Sequence, residues 1–224
     1  MSKKHYLQKT CPTGSTLYYS LLYQSSEKRE AMILIEAFYQ AIISIIKISE
    51  LSVAQAKLQW WREEINRMFV QQGEHPISKS LQTHLKTFNL SKNYFLEITN
   101  GVLHYLANTP SHDDQSAYQF YCQTAGSREL LKASMIEKIN PSQIKVIYQS
   151  TAGISIIEDF QLAKQLFKKP LDSAEKFLQN KHLPQPLCIR ADIALAILRK
   201  MRKHQGKSVD ILPLRKLFIA WKNK

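Results

Sequence analysis

Apolar and polar positions recur along this chain with the period of the α-helix and hardly anywhere with that of a strand. Six glycines occur, and no Asn-Gly or Asp-Gly turn lies between alternating stretches, so hairpins are not expected. Ser26 and Glu27 open a stretch that stays apolar on nearly every side to about Ile48, which predicts a buried helix. One thin polar line crosses it. Glu36, Gln40, Ser44 and Lys47 are spaced four, four and three, so they share one face. A second helix is predicted from about Ser52, with Ala54, Leu58, Trp61, Ile65 and Met68 as its stripe, ending at Gly73 and Pro76. A shorter helix is predicted over 77–88. From about Ser91, Phe95, Ile98, Val102 and Leu106 line up on one face until Asn108 and Pro110. Asp113, Asp114 or Ser116 supplies the cap of the next helix, running towards Ile139, and Pro141 opens another to about Phe167. Pro170, Pro184 and Pro186 predict a broken, polar connection, and 190–222 reads as one or two helices. The expected fold is all-α: a single helical bundle over residues 1–224, with a basic helical segment at 190–224.

Composition narrows the partners. The chain has 224 residues, 44% of them hydrophobic, which is enough for a large core. Lys and Arg number 31 against 18 Asp and Glu, a formal charge of +13. That favours anionic partners: nucleic acid, anionic lipid or phosphorylated small molecules. From Arg199 to Lys224 there are nine Lys or Arg and one acid, Asp210. No helix-turn-helix and no aromatic-interleaved RNA-binding pattern accompanies them, so nucleic acid is not the expected partner. Leu195, Leu198, Leu214, Leu217, Phe218 and Trp221 offer an apolar side for an anionic membrane surface instead. Cys11, Cys122 and Cys188 lie far apart, as in a reducing compartment. No apolar run follows the basic N-terminus, and Glu36 and Gln40 interrupt the longest apolar stretch. Neither a secretory leader nor a membrane span is expected, and the protein reads as cytoplasmic, at most peripheral to a membrane. The histidines and cysteines have no zinc spacing, and no phosphate-binding loop is present.

The stretch "KLQWWREEINRMF" (57–69) reads, by itself, as a helix with Trp61, Ile65 and Met68 in the core and Glu63 and Glu64 pairing with Arg67 at the surface. Taken with other stretches it carries a resemblance. "STLYYSLLYQSSEKREAMILIEAFYQ" (15–40) resembles the opening of squalene and phytoene synthases, with their serine–tyrosine-rich helix and "A-F-C-R" segment. "AKLQWWREEINRMF" (56–69) is similar to their "K-L-x-W-W-R-E-E" helix, and "HPIS" (75–78) to their "H-P-V". "EITNGVLHYL" (97–106) and "YCQTAGSRELL" (121–131) resemble "L-I-D-G-x-x-x-D-L" and "Y-C-x-x-V-A-G-x-V-G". The best-matching part is about 13–165.

The resemblance implies an isoprenoid-synthase bundle. Active members join two prenyl diphosphates head to head, using two aspartate-rich motifs that hold Mg²⁺ on the diphosphate across an apolar cavity. It implies substrate contacts at Tyr19, Ser44, Lys47, Arg62, Asn100, Tyr105 and Arg128. The chain departs from the family at the metal. Aligned without gaps, the first motif "D-D-x-x-D" falls on Ile43, Ser44 and Lys47. Asn100 and Tyr105 stand for the next two aspartates, and Arg128 and Glu129 for a Val-Gly pair. The second motif matches "SIIEDFQLA" (155–163), which keeps Asp159 but has Glu158 for an arginine and Ala163 for the last aspartate. The chain also looks shortened at its C-terminal end.

The polar line on the first long helix is then the face that should look into the cavity, with its last member changed in charge sign. No catalytic residue is expected beyond the candidates Asp159 and Glu158. No cofactor is expected, Mg²⁺ being needed only for residual activity. The leading expectation is a non-catalytic assembly or interaction factor, as in the mitochondrial complex I assembly factors that resemble these synthases and also lack intact aspartate motifs. The alternative is a prenyltransferase or prenyl-diphosphate or prenyl-lipid binder, with Lys47, Arg62 or Arg128 holding the diphosphate as point charges.

Overall fold

The chain enters its core through α3 (Ser26–Ile43), where Ala31 to Phe38 are buried without interruption. The structure, a computed structural model, describes residues 3–107, 113–179, 183–204, 206–207 and 209–224, and all regular structure in them is helical. Before α3 come α1 (Lys3–Thr10) and α2 (Thr16–Ser20). A 3₁₀ turn (Ser44–Lys47) follows it, then α4 (Leu51–Phe69), α5 (Pro76–Leu85), α6 (Lys92–Ala107) and α7 (Asp114–Tyr121). A π-helical turn (Cys122–Gly126) leads into α8 (Ser127–Ser134), then α9 (Pro141–Glu158), α10 (Phe160–Leu166), α11 (Pro170–Phe177), α12 (Gln185–Lys203) and α13 (Pro213–Lys222).

The caps have local causes. Ser25 accepts the Lys28 N–H ahead of α3, and Asp113 accepts the N–H groups of Gln115 and Ser116 ahead of α7. Asn140 and Gln143 form a capping box beside Pro141. Phe38, wholly buried, meets Trp61 of α4 and Phe95 of α6 edge-on, with ring centroids 5.4 and 5.2 Å away. A Cβ at Gly101 would lie 2.6 Å from the Thr124 Cγ2. Only glycine therefore lets α6 approach the π turn that carries α8 into place.

Several elements differ from the periodicity reading. The first long helix tightens to 3₁₀ at Ser44, so its last turn is narrower than an α-helix. The helix opened by Pro141 stops at Glu158, because Asp159 leaves helical space (φ −122°, ψ 64°) and caps α10 through the Leu162 N–H at 3.3 Å. Pro170 starts α11 where a broken connection was expected, its fixed φ suiting a first turn. Leu198 is buried and Leu195 half-buried in α12, so neither joins an outward apolar face. The expected stop at Asn108 and Pro110 lies outside the described residues. No helix of the described residues is long and apolar enough to cross a membrane. The three cysteines are free thiols.

Candidate functional site

The polar line of α3 looks into a hollow. Glu36, Gln40, Ser44 and Lys47 all line one cavity of about 280 Å³, running from Glu36, buried at its floor, to Lys47, exposed at its mouth. Tyr121 and Arg128 close it on one side, and Ser155, Glu158 and Asp159 on the other. An adjoining hollow of about 330 Å³ shares Ile43, Lys47, Asp159 and Leu162 with it and adds Tyr105. Of the residues singled out from sequence, Ile43, Ser44, Lys47, Arg128, Glu158, Asp159 and Tyr105 thus gather around one cleft. Arg62 and Asn100 line neither hollow; the Arg62 Nη1 donates to the Asn100 Oδ1 at 2.5 Å, tying α4 to α6. Tyr19 is buried on α2 and Ala163 is wholly buried on α10, both away from the lining.

Three acids and three bases interlock at the floor. The Arg128 Nη1 donates to the Glu36 Oε1 at 2.9 Å and its Nε to the Glu129 Oε1 at 2.9 Å. The Lys132 ammonium bridges Glu36 and Glu129. Arg190, arriving on α12, places Nη1 2.6 Å from Glu129 and Nη2 2.5 Å from Glu158. Five of the six side chains are at most 7% exposed, and Glu158, at 31%, is the one that opens to water. Burial alone would raise the Glu36 and Glu129 carboxyls. Arg128, Lys132 and Arg190 around Glu36 overcome this and hold it far below the usual carboxylate range. The same cations, Lys132 foremost, hold Glu129 at about 2. Burial would lower Arg190, but Glu158, Glu129 and Glu36 raise it instead. The Arg128 guanidinium stacks 4.3 Å from the Tyr39 ring centre, and burial pushes the Tyr39 hydroxyl up to about 12.

This donor set does not fit Mg²⁺. The ion needs several free oxygens in near-octahedral geometry. Among the described residues no group of three or more His, Cys, Asp or Glu is placed to hold a metal. Ile43, Ser44 and Lys47 supply no carboxylate, and the Ser44 hydroxyl donates back to the Ala41 carbonyl at 2.7 Å. Glu36, Glu129 and Glu158 already face cations, and the Asp159 carboxylate is a helix cap.

Other polar atoms of the hollow lack partners. The Arg128 Nη2, Tyr121 hydroxyl and Ser155 hydroxyl are buried and make no hydrogen bond among the described residues, yet all three residues line the cavity. Lys132 and Arg190 were missed from sequence. The spacing Arg128, Glu129, Lys132, with Lys132 one turn after Glu129, was the local signal for the first, while nothing near Arg190 marks it. Glu64 is a correction. It is wholly buried, not a surface partner, and besides Arg67 at 2.9 Å it accepts the N–H groups of Glu74 and His75, each at 2.7 Å.

The fold is shared with solved structures. A dehydrosqualene synthase crystallised with a ligand superposes with a TM-score of 0.79 at 12% identity, over 99% of this chain and 94% of that one. Squalene synthase HpnC from Alicyclobacillus acidocaldarius superposes with a TM-score of 0.74 at 14% identity, over 91% of this chain and 92% of that one. At such identities these likenesses speak for the fold. No curated protein sequence matches the chain. In sequence, the profile described as squalene/phytoene synthase matches residues 12–128. That span holds the α3 line, the "W-W-R-E-E" helix packed on Phe38 and the turn into Arg128, and it is just over half of the chain, which belongs to the squalene/phytoene synthase family.

Proposed function

We propose that this member of the family does not carry out Mg²⁺-assisted prenyl coupling and serves as a binding or assembly factor on the retained bundle, at an anionic membrane surface. The observation that supports this is the state of the carboxylates around the cleft. Glu36, Glu129 and Glu158 are each held by cations of the same chain, and Asp159 is held by its own helix. Drawing off a diphosphate requires charge stabilisation worth several kcal/mol, which the metal supplies in an active member. An ion network that neutralises itself offers no site for that metal and no free base. The test is incubation of purified protein with farnesyl or geranylgeranyl diphosphate, with and without Mg²⁺, reading pyrophosphate and hydrocarbon products. The expected yield equals that of a protein-free control, and Mg²⁺-dependent product would overturn the reading.

One observation favours a second reading, a metal-free binder of an isoprenoid diphosphate or prenyl lipid. The unpartnered Arg128, Tyr121 and Ser155 atoms converge on the hollow. Lys47 stands exposed at its mouth. Such donors suit a phosphate oxygen. Glu158 and Asp159 on the same wall repel one, which places this reading second. A rise in melting temperature with farnesyl diphosphate and no Mg²⁺, abolished by Lys47→Ala, would move it to first.

A further inference from the structure

The outer face of α13 lines neither hollow of the cleft and is exposed among the described residues. Leu214, Leu217, Phe218 and Trp221 follow each other at the three-and-four spacing of one helical stripe. They are 78, 43, 60 and 63% exposed, and Leu212 just before them is 73% exposed. The stripe is not a loose end waiting to fold inward. The opposite face is docked: Ala220 is wholly buried, the Lys216 stem is buried, and the Lys216 Nζ is tied to the Asp210 Oδ2 at 2.7 Å. At the helix end the Asn223 Nδ2 donates to the Asp192 Oδ2 on α12 at 3.0 Å, and Gln185 donates to the Asn223 carbonyl at 3.2 Å. The scaffold holds the apolar side in water.

The charges around it select the occupant. Arg215 and Lys222 follow Leu214 and Trp221 by one residue, so they run along one edge of the stripe, and both are exposed. Lys207, Lys224 and the end of α12, with Arg199 and Lys203, add exposed cations nearby in the chain. The one acid from Arg199 onward, Asp210, is already taken by Lys216. We propose that this face of α13 seats the protein on an anionic lipid surface, its Leu, Phe and Trp side chains entering the headgroup boundary and its cations meeting the phosphates. A second copy is disfavoured. An antiparallel two-fold pairing would bring Arg215 and Lys222 against their own like charges, and in a parallel one α13 carries no acid to meet them.

This deepens the interaction reading given above and stands on different residues, so the two can fail separately. The probe is co-sedimentation of the full chain with phosphatidylcholine vesicles, with and without phosphatidylglycerol. Two variants accompany it, Leu217→Ser/Phe218→Ser/Trp221→Ser and Arg215→Glu/Lys222→Glu, each checked for an unchanged helical spectrum and melting temperature. The expected result is sedimentation with the anionic vesicles only, weakened by added salt and by at least about tenfold in either variant. Wild-type protein that stays in the supernatant, or binding equal in all three proteins, overturns the proposal. A dimer seen by light scattering and lost in the triple variant, without vesicle binding, also overturns it and assigns the face to a second copy. Prenyl coupling by a protein that still binds vesicles would sink the non-catalytic reading alone.

Discussion

The floor of the cleft and the outer face of α13 each place residues where water would not put them. At the floor, charged groups are buried: Glu36, Glu129, Arg128, Lys132 and Arg190 sit at 7% exposure or less. On α13, large apolar groups are exposed, from Leu217 at 43% to Leu214 at 78%. The two differ in how the misplacement is settled. Burying an ion costs several kcal/mol, offset only by close opposite charges, so the floor balances three acids against three bases and each member depends on the others. An exposed leucine or tryptophan costs the folded state little, but a contiguous row of them is surface with interaction free energy unused. The charges of the floor are thus answered from within the chain, and the apolar face of α13 is not.

The sharpest way to break that contrast is to remove one charge from the floor. Glu36→Gln leaves Arg128 and Lys132 short of a counter-charge in the interior. It should destabilise the protein by about 3–5 kcal/mol, read as a drop in the urea midpoint. The triple serine change on α13 should move the same midpoint by no more than about 0.5 kcal/mol, because it touches no buried contact. Equal effects would mean that the network is not the cooperative unit its geometry indicates.

Acid provides a graded version. Glu129 titrates at about 2 in the folded protein against an ordinary value of 4.5, and Glu36 lower still. A depressed carboxyl stabilises the fold fully above its unfolded value and loses that contribution as pH falls through the folded one. Stability from the floor should therefore be level from neutral down to about pH 5 and fall steeply from there to about pH 2. For Glu129 the loss is on the order of 3 kcal/mol. Thermal melts across this range should show the fall, and Glu36→Gln should make it shallower. A melting temperature flat through pH 3 would sink this account of the floor.

Much of the framework was legible in the sequence, because helical period and caps are local. Asp113 and Pro141 announce their helices within a single turn. The line Glu36, Gln40, Ser44, Lys47 was legible for the same reason, and it does face the cleft. The metal positions were read only through a resemblance, residue against residue. What failed was long-range or competitive. Arg190 reaches Glu129 and Glu158 from another helix, and no spacing rule links them. Glu63 and Glu64 have equal claims on Arg67 by spacing. Glu64 turns inward because the N–H groups of Glu74 and His75 need an acceptor. Asp159 sits inside a good helical pattern, and its affinity for a cap position ends α9 early.

The smallest effect comes from a surface counterpart of the floor. The Arg202 Nη2 lies 2.8 Å from the Asp172 Oδ1 and 2.6 Å from the Glu175 Oε2, within 0.2 Å of the distances from Arg190 to Glu129 and Glu158. Distance alone would rank the two arginines alike. Arg202 is 40% exposed and its partners 59 and 54%, so water and salt replace most of what the pair provides. Arg202→Ala should cost about 0.2–1 kcal/mol, declining further in high salt. Arg190→Ala should cost several times more and respond little to salt, since it removes one cation from a buried network and leaves an excess of negative charge there. Measured side by side, the two substitutions isolate burial as the variable. If they cost the same, the difference drawn here between a saturated interior and a solvated surface has no energetic content.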